Sequence, residues 1–401
     1  MKPIKKNRFV IRVIALTVFT GSIAACSNDS STDTTASSDS TISSDSSIPD
    51  SISLAGVCPE KVIIQTDWWP QSEHGFVYQM LGDGYTVNTE NMSVSGPLVS
   101  EGQTTGVDIQ INAGGAAINE RVLARMYSKP EILLGFTGTD IAISQSEALP
   151  TIGVVAPFNI NPQIIMWDPA TYPEVRTINE LKDAQVRVLY YQNVAYMTYL
   201  TGAGILDESQ IDPSYEGVAD QFVIANGKIA QQGYGTNEPI FYENKLEKWM
   251  KPVRYQYLHE IGWTPYAQTL AVTPANKEEF NDCLAKLVPI IQQAQVDFVL
   301  DPAKTNETIV DVVTTLNPAT AYDLELATLS ADKQVTDRLV SNSPDGTLGS
   351  FDLNRIEQFI ATAAPIFIER GDSVKDSIAA KDLVTNEYID FTISLPEETA
   401  R

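Results

Sequence analysis

The chain has 401 residues, more than one compact domain commonly holds, and 43% of them are hydrophobic, enough for a sizeable core. Its 51 acidic residues outnumber 27 basic ones, for a formal net charge of −24. That balance excludes a nucleic-acid partner, whose phosphates need a basic surface, and leaves a small ligand open.

Residues 1–25 differ from the rest. "MKPIKKNR" is basic, "VIALTVF" is a short apolar run, and "SIAACS" supplies small residues before Cys26. The pattern is a secretion signal, too short for a comfortable membrane span. Residues 26–57 are rich in serine and aspartate and have no lysine or arginine. Such a segment cannot bury enough apolar surface to offset its ordering entropy, so it reads as a flexible tether.

From residue 60 strands alternate with helices. "KVIIQTD" is a strand, and "VDIQINA" (107–113) is another, followed by a glycine pair and a helical run near 117–127. "ILLGFT" and "TIGVVAPF" (151–158) come next, then "QIIMWD", the helix start "TINELKD" and the strand "VRVLYY" (186–191). "AYMTYLTGAG" is helical with glycine stop signals, "IFYENKLEKWM" is a helix and "VRYQYLHEIG" a strand. Residues 276–300 and 352–370 read as amphipathic helices, the second capped by Asp352. This alternation implies parallel sheets covered by helices, an α/β class.

Ligands of open α/β sheets bind beyond the carboxyl ends of strands. Polar and aromatic residues gather at such ends: "DWW" at 67–69, "AGG" at 113–115, "TGTD" at 137–140, "YYQN" at 190–193 and "TNEP" at 236–239. Neighbouring side chains of extended chain face opposite ways, so at most one of Trp68 and Trp69 enters a cleft. Gly114 and Gly115 are either a tight turn or an anion-binding helix start. His74 both donates and accepts at neutral pH, which suits a polar ligand, or it satisfies a neighbouring backbone group. Glu238 is either a rigid acceptor before Pro239 or an ordinary helix N-terminal carboxylate. His74 and His259 have no paired spacing for a metal, and neither a nucleophile elbow nor a P-loop occurs, so no metal, cofactor or catalytic residue is expected.

"TDWWPQSEHGFVYQ", "ILLGFTGTDIAIS", "DPATYPEVRTINELKDAQVRV" and "GYGTNEP", in that order, resemble the thiamine-pyrimidine and sulfonate group of ABC-transporter solute-binding proteins. "IAAC" (23–26) resembles a bacterial lipobox, which implies lipidation of Cys26. The resemblance covers about residues 60–300. It implies a two-lobe periplasmic-binding-protein type II fold with the ligand cleft between the lobes. Lobe one is expected over 58–160 and 268–395, lobe two over 161–267, with crossings near 156–166 and 262–272. It implies a monomeric, exported receptor, lipid-anchored to the outer face of the cell membrane, that delivers an aminopyrimidine or a sulfonate- or nitrate-like anion to a permease and its ATPase. Asp67, Trp68, His74, Asn237 and Glu238 carry over as ligand contacts by motif; Gly114, Thr139 and Tyr191 follow from strand-end position. The polar stretch "TENMSVSGPLVSEGQTTG" departs from the group as an unusually long linker. A pyrimidine-synthesising or modifying enzyme on the same fold and a ligand sensor are the alternatives. An exported chain permits a Cys58–Cys283 disulfide; two buried free thiols are the other reading.

Overall fold

The computed structural model describes residues 48–192, 194–397 and 399. The expected signal, Cys26 and the tether up to residue 47 lie outside the described residues.

β1 (Lys61–Gln65) passes through a 3-10 turn at Ser72–His74 into α1 (Gly75–Gln79). β2 (Thr86–Asn88), β3 (Ser93–Ser100) and β4 (Gln103–Asn112) follow, then α2 (Val122–Ser128), β5 (Leu134–Thr137), α3 (Thr139–Ser144) and β6 (Ile152–Val155). The next run is β7 (Gln163–Trp167), α4 (Ile178–Asp183), β8 (Arg187–Leu189), α5 (Ala195–Gly202), β9 (Ile211–Asp212), α6 (Asp220–Ile224), β10 (Ile229–Tyr234), α7 (Glu238–Asn244) and β11 (Arg254–Tyr257). The chain closes with β12 (Thr269–Val272), α8 (Pro274–Glu279), α9 (Asn281–Leu300), α10 (Ala303–Leu316), α11 (Leu324–Thr336) and α12 (Leu353–Glu369).

Two sheets result. The first runs β2-β3-β4-β1-β5-β12-β6 and the second β11-β7-β10-β8-β9. β1 lies parallel between β4 and β5, so its carboxyl end opens beside theirs. Val62 and Ile64 of β1 are fully buried in the first core, and Ile63 on the opposite face packs against Val122 and Met126 of α2, so the strand is covered on both faces. The chain leaves the first sheet after Val155 and returns at Thr269.

The stretch read as a long polar linker is β3 with the turn into β4, which widens the first sheet as an antiparallel hairpin. Val94 and Leu98 bury one face of it, and the ladder shifts register between Pro97 and Val99, where proline cannot donate. Gly96 and Pro97 hid the strand from a propensity reading. Residues 48–57, assigned in sequence to the tether, also join the body: Leu54 is fully buried in the first core. Cys58 and Cys283 are joined by a disulfide, Cα–Cα 4.7 Å, which ties this entry segment to α9.

The carboxy-terminal segment does not pack on the first sheet alone. α9 and α10 bury Leu284, Leu287 and Ile309 in the first core. α12 instead turns Ile356, Phe359, Ala363 and Phe367 into the core that holds Trp167 and Ile178 of the second lobe. Asp352 caps that helix, accepting from the N–H groups of Asn354 (2.9 Å) and Arg355 (3.2 Å). Each large side chain so buried contributes about 1.5–3 kcal/mol. Arg355 then reaches both connections between the sheets. Its Nη1 donates to Asn159 O (2.5 Å), its Nε to Thr264 O (3.0 Å) and its Nη2 to Pro265 O (3.2 Å), and the guanidinium lies 3.9 Å from the Tyr266 ring centroid.

Candidate functional site

The end of β1 is welded to the end of β4. The Gln65 amide donates to Ala113 O (3.0 Å), and the Thr66 hydroxyl lies 2.9 Å from Trp68 O and 3.0 Å from Asn112 O. Gly114 N–H donates to Trp68 O (2.9 Å). A Cβ on Gly114 would lie 2.0 Å from Thr66 O, so only glycine allows this approach. The turn thus held sends Trp69 towards the first core and leaves Trp68 half-buried on the other side. The Trp68 indole lies over Gly115 of the first lobe, where a Cβ would come within 2.3 Å of Cε3. It also reaches the second lobe, where a Cβ on Gly217 would sit 3.5 Å from Cζ2.

Pro70 leads into the 3-10 turn at 72–74, pinned from behind by the carboxy-terminal helices. Ser72 Oγ lies 2.7 Å from Asn306 Oδ1 and 2.8 Å from Ala327 O, and Ser72 N–H donates to the Tyr322 hydroxyl (2.7 Å). The turn fixes His74, fully buried, with its ring edge-on to Phe136 and Nε2 2.8 Å from Asp67 Oδ1. Gln268, in the return connection, donates to the same oxygen at 3.4 Å. The Asp67 side chain keeps 31% of its exposure. His74 therefore orients Asp67 and does not itself reach the cleft.

Glu73, in the same turn, is 1% exposed. Its Oε1 accepts a short hydrogen bond from the hydroxyl of Thr236, across the boundary between the lobes; its Oε2 has no hydrogen-bond partner. Burial raises the Glu73 pKa against the opposing pull of Thr236. On the second lobe, "GYGTNEP" makes the facing wall. A Cβ on Gly235 would strike the Tyr257 hydroxyl at 2.3 Å, so its absence lets β11 close in. Glu238 opens α7, and its Oε2 accepts from Tyr234 N–H (2.6 Å). Its Oε1 lies 3.4 Å from the Tyr215 hydroxyl, a weak contact. Burial pushes Glu238 up to about 7, with the Glu73 charge adding to the effect. Burial likewise pushes Asp140, at the start of α3, up to about 6. The Tyr234 hydroxyl is raised well above its usual range, by burial first and then by Asp67, Asp140 and Glu73. One tyrosine of the second lobe thus senses three carboxylates of the first.

The residues expected from sequence divide into three sets. Asp67, Trp68 and Glu238 stand at the boundary between the lobes. His74, Thr139 and Gly114 are beside it but committed to the scaffold. Thr139 N–H donates to Tyr266 O (3.0 Å), and its Oγ1 accepts from Tyr266 N–H (3.0 Å). Gly114 spends its N–H on Trp68, and only a 3-10 turn at Gly115–Ala117 follows, so no helix start faces an anion there. Asn237 gives its backbone N–H to Tyr234 O (2.9 Å) in the turn that presents Glu238. Tyr191 stands apart, 46% exposed, with its N–H donating to Gln232 Oε1 (2.6 Å). The tyrosine that senses Glu238 and Asp140 is Tyr196, buried on α5, whose hydroxyl donates to the same Gln232 oxygen (2.6 Å). Glu73, Asp140, Tyr196, Tyr234 and Thr236 also gather at this boundary; Glu73 and Tyr196 were visible in the sequence as pocket and aromatic-wall candidates but were not chosen as ligand contacts, and the other three were not weighed singly. All five lie inside quoted stretches, but nothing in the pattern says which side chain turns inward. Among the described residues no group of three or more His, Cys, Asp or Glu is placed to hold a metal ion.

No family model matches the chain, and no curated protein does. Solved structures do. The aliphatic sulphonate-binding protein SsuA of Escherichia coli aligns with a TM-score of 0.51 at 14% identity, over 82% of this chain and 92% of that one. SsuA of Xanthomonas axonopodis pv. citri, bound to MOPS, gives 0.51 at 13%, over 82% and 98%. The nitrate-binding protein NrtA of Synechocystis PCC 6803 gives 0.52 at 8%, over 85% and 91%. At such identities the likeness is one of fold. The chain has the two-lobe fold of the periplasmic binding proteins, as the sequence resemblance implied.

Proposed function

We propose that the protein is the extracytoplasmic solute-binding component of an ABC importer, and that it takes a small, flat, nitrogen-containing ring such as an aminopyrimidine. The observation that carries this reading is Trp68, which lies over Gly115 of the first lobe and faces Gly217 of the second, next to Asp67. An indole stacked on a flat ring contributes about 0.5–1.5 kcal/mol beyond area burial, and carboxylates accept from ring amines. The fold shared with SsuA and NrtA supports the receptor role. A sulfonate or nitrate fits the cleft poorly. The backbone donors at Gly114 and Thr139 that would hold an anion are spent within the protein, and carboxylates take their place.

Non-catalytic binding is favoured over an enzyme of the same fold. His74, the natural acid–base candidate, is fully buried with one nitrogen on Asp67. Export and a lipid anchor on Cys26 complete the reading, supported by the basic, apolar and small-residue order of the leader. Replacing Cys26 by Ser and fractionating cells tests the anchor; a protein that stays wholly membrane-bound and processed contradicts it. Calorimetry tests the ligand. An aminopyrimidine should bind, with loss of binding in Trp68→Ala and Glu238→Gln. Binding of an alkyl sulfonate that both substitutions leave intact overturns the reading.

A further inference from the structure

We propose that the ligand is held as a cation, with the Glu73 carboxylate as its buried counter-charge. The proposal rests on the reading of the cleft as a small-ring receptor and goes on to give the ring its charge.

Four acids gather where the lobes meet: Asp67 and Glu73 from the β1 side, Asp140 from the start of α3 and Glu238 from the start of α7. Asp67 acts on Glu73 and Glu73 on Glu238, and Asp140 acts with Asp67 and Glu73 on the shared Tyr234. Acids alone would not make a site. The independent observation is the free Oε2 of Glu73, on a side chain 1% exposed and hydrogen-bonded across the lobes at its other oxygen. A buried acceptor without a partner is costly to leave, and a charged one more so. Only His74 among the charged groups acting on Glu73 draws its carboxyl down, and that ring is already bonded to Asp67. From its own turn come Ser72, bonded to Asn306, and His74, bonded to Asp67. From the second lobe come Thr236, Tyr234 and Glu238, and from the segment before α11 comes the Tyr322 hydroxyl. No lysine or arginine is among the groups that shift Glu73, Asp140 or Glu238. A ligand cation fills that place, and the face of Trp68 favours the same charge.

The test compares two isosteric probes, the permanently charged 1-methyl-4-aminopyridinium and neutral 4-methylaniline, with methanesulfonate as the anion. Binding is read from tryptophan fluorescence and calorimetry of the purified protein at about pH 8, above the values to which Glu238 and Asp140 are raised. The pyridinium should bind at least about tenfold tighter than the aniline, as a charge-assisted contact requires, and Glu73→Gln should shrink that advantage to about twofold or less. Far-ultraviolet dichroism confirms that the variant is folded, and the wild-type comparison stands without it. Equal affinity for the two rings means that Glu73 remains protonated, which overturns the cation and keeps the ring receptor. Methanesulfonate binding with neither ring bound overturns the receptor reading as well.

Discussion

The Thr236 hydroxyl, in the turn after β10, donates to the Glu73 carboxylate, in the turn after β1, and so joins the two lobes by a hydrogen bond buried at both ends. Removing the donor leaves Glu73 with neither oxygen partnered. Thr236→Val should therefore cost about 1–3 kcal/mol of the closed arrangement, the usual penalty of an orphaned buried group. Small-angle scattering should show a larger radius of gyration for the ligand-free variant. An unchanged radius and unchanged thermal stability would show that the bond does not hold the lobes together.

His74→Phe keeps the ring packed against Phe136 and removes the hydrogen bond that orients Asp67. We expect ligand affinity to fall about tenfold, the worth of one charge-assisted hydrogen bond, with dichroism unchanged. His74→Asn, which can still donate, should recover part of the loss. Full affinity in the Phe variant would mean that Asp67 needs no orienting partner.

Among the described residues Arg355 is the one side chain that bonds both connections between the lobes. Arg355→Met keeps much of its stem over Tyr266 and deletes the donors, leaving the carbonyls of Asn159, Thr264 and Pro265 to find water. A loss of about 2–4 kcal/mol in unfolding free energy is expected, with amide exchange quickening at 156–162 and 262–268. Exchange that quickens only in α12 would limit Arg355 to its own helix.

The raised carboxyls set a pH dependence. Glu238 and Asp140 titrate higher when folded, at about 7 and about 6, than in an unfolded chain. The folded state then binds more protons, so their contribution is fully present below the ordinary carboxyl range and is lost as pH rises through 6 and 7. Ligand-free wild type should lose melting temperature relative to Glu238→Gln over that window. A constant difference between the two proteins from acid to neutral pH would contradict the shift.

The disulfide closes a loop across a sequence separation of 225. In the chain-entropy account that is about 5 kcal/mol, so Cys58→Ser/Cys283→Ser should unfold at markedly lower denaturant. A shift below about 1 kcal/mol would mean that the native contacts of Leu54 and its neighbours already restrain this end of the chain.

The short apolar runs "KVIIQ" and "QIIMW" and the capping-box signal "TINE" made the α/β class legible, because these are local patterns with local causes. β3 was missed because Gly96 and Pro97 sit in it for reasons that only its neighbours explain: Tyr85 packs against the glycine and a bulge spares the proline a ladder bond. At the site, Asp67, Trp68 and Glu238 were readable as strand-end residues. Glu73 was visible in the same strand-end cluster but was not chosen as a ligand contact, since its partner Thr236 is 163 positions away. The gap between Tyr191 and Tyr196 has the same origin. Which tyrosine meets the cleft follows from how α5 sits on the second sheet, and spacing alone is silent about that.

The most direct measurement is a native mass spectrum of the protein purified from its own host, followed by identification of whatever it has retained. The account predicts a single nitrogen-containing ring at one-to-one stoichiometry, lost from Trp68→Ala and weakened in Glu73→Gln. A retained sulfonate or nitrate, or a ligand whose occupancy neither substitution alters, would contradict it.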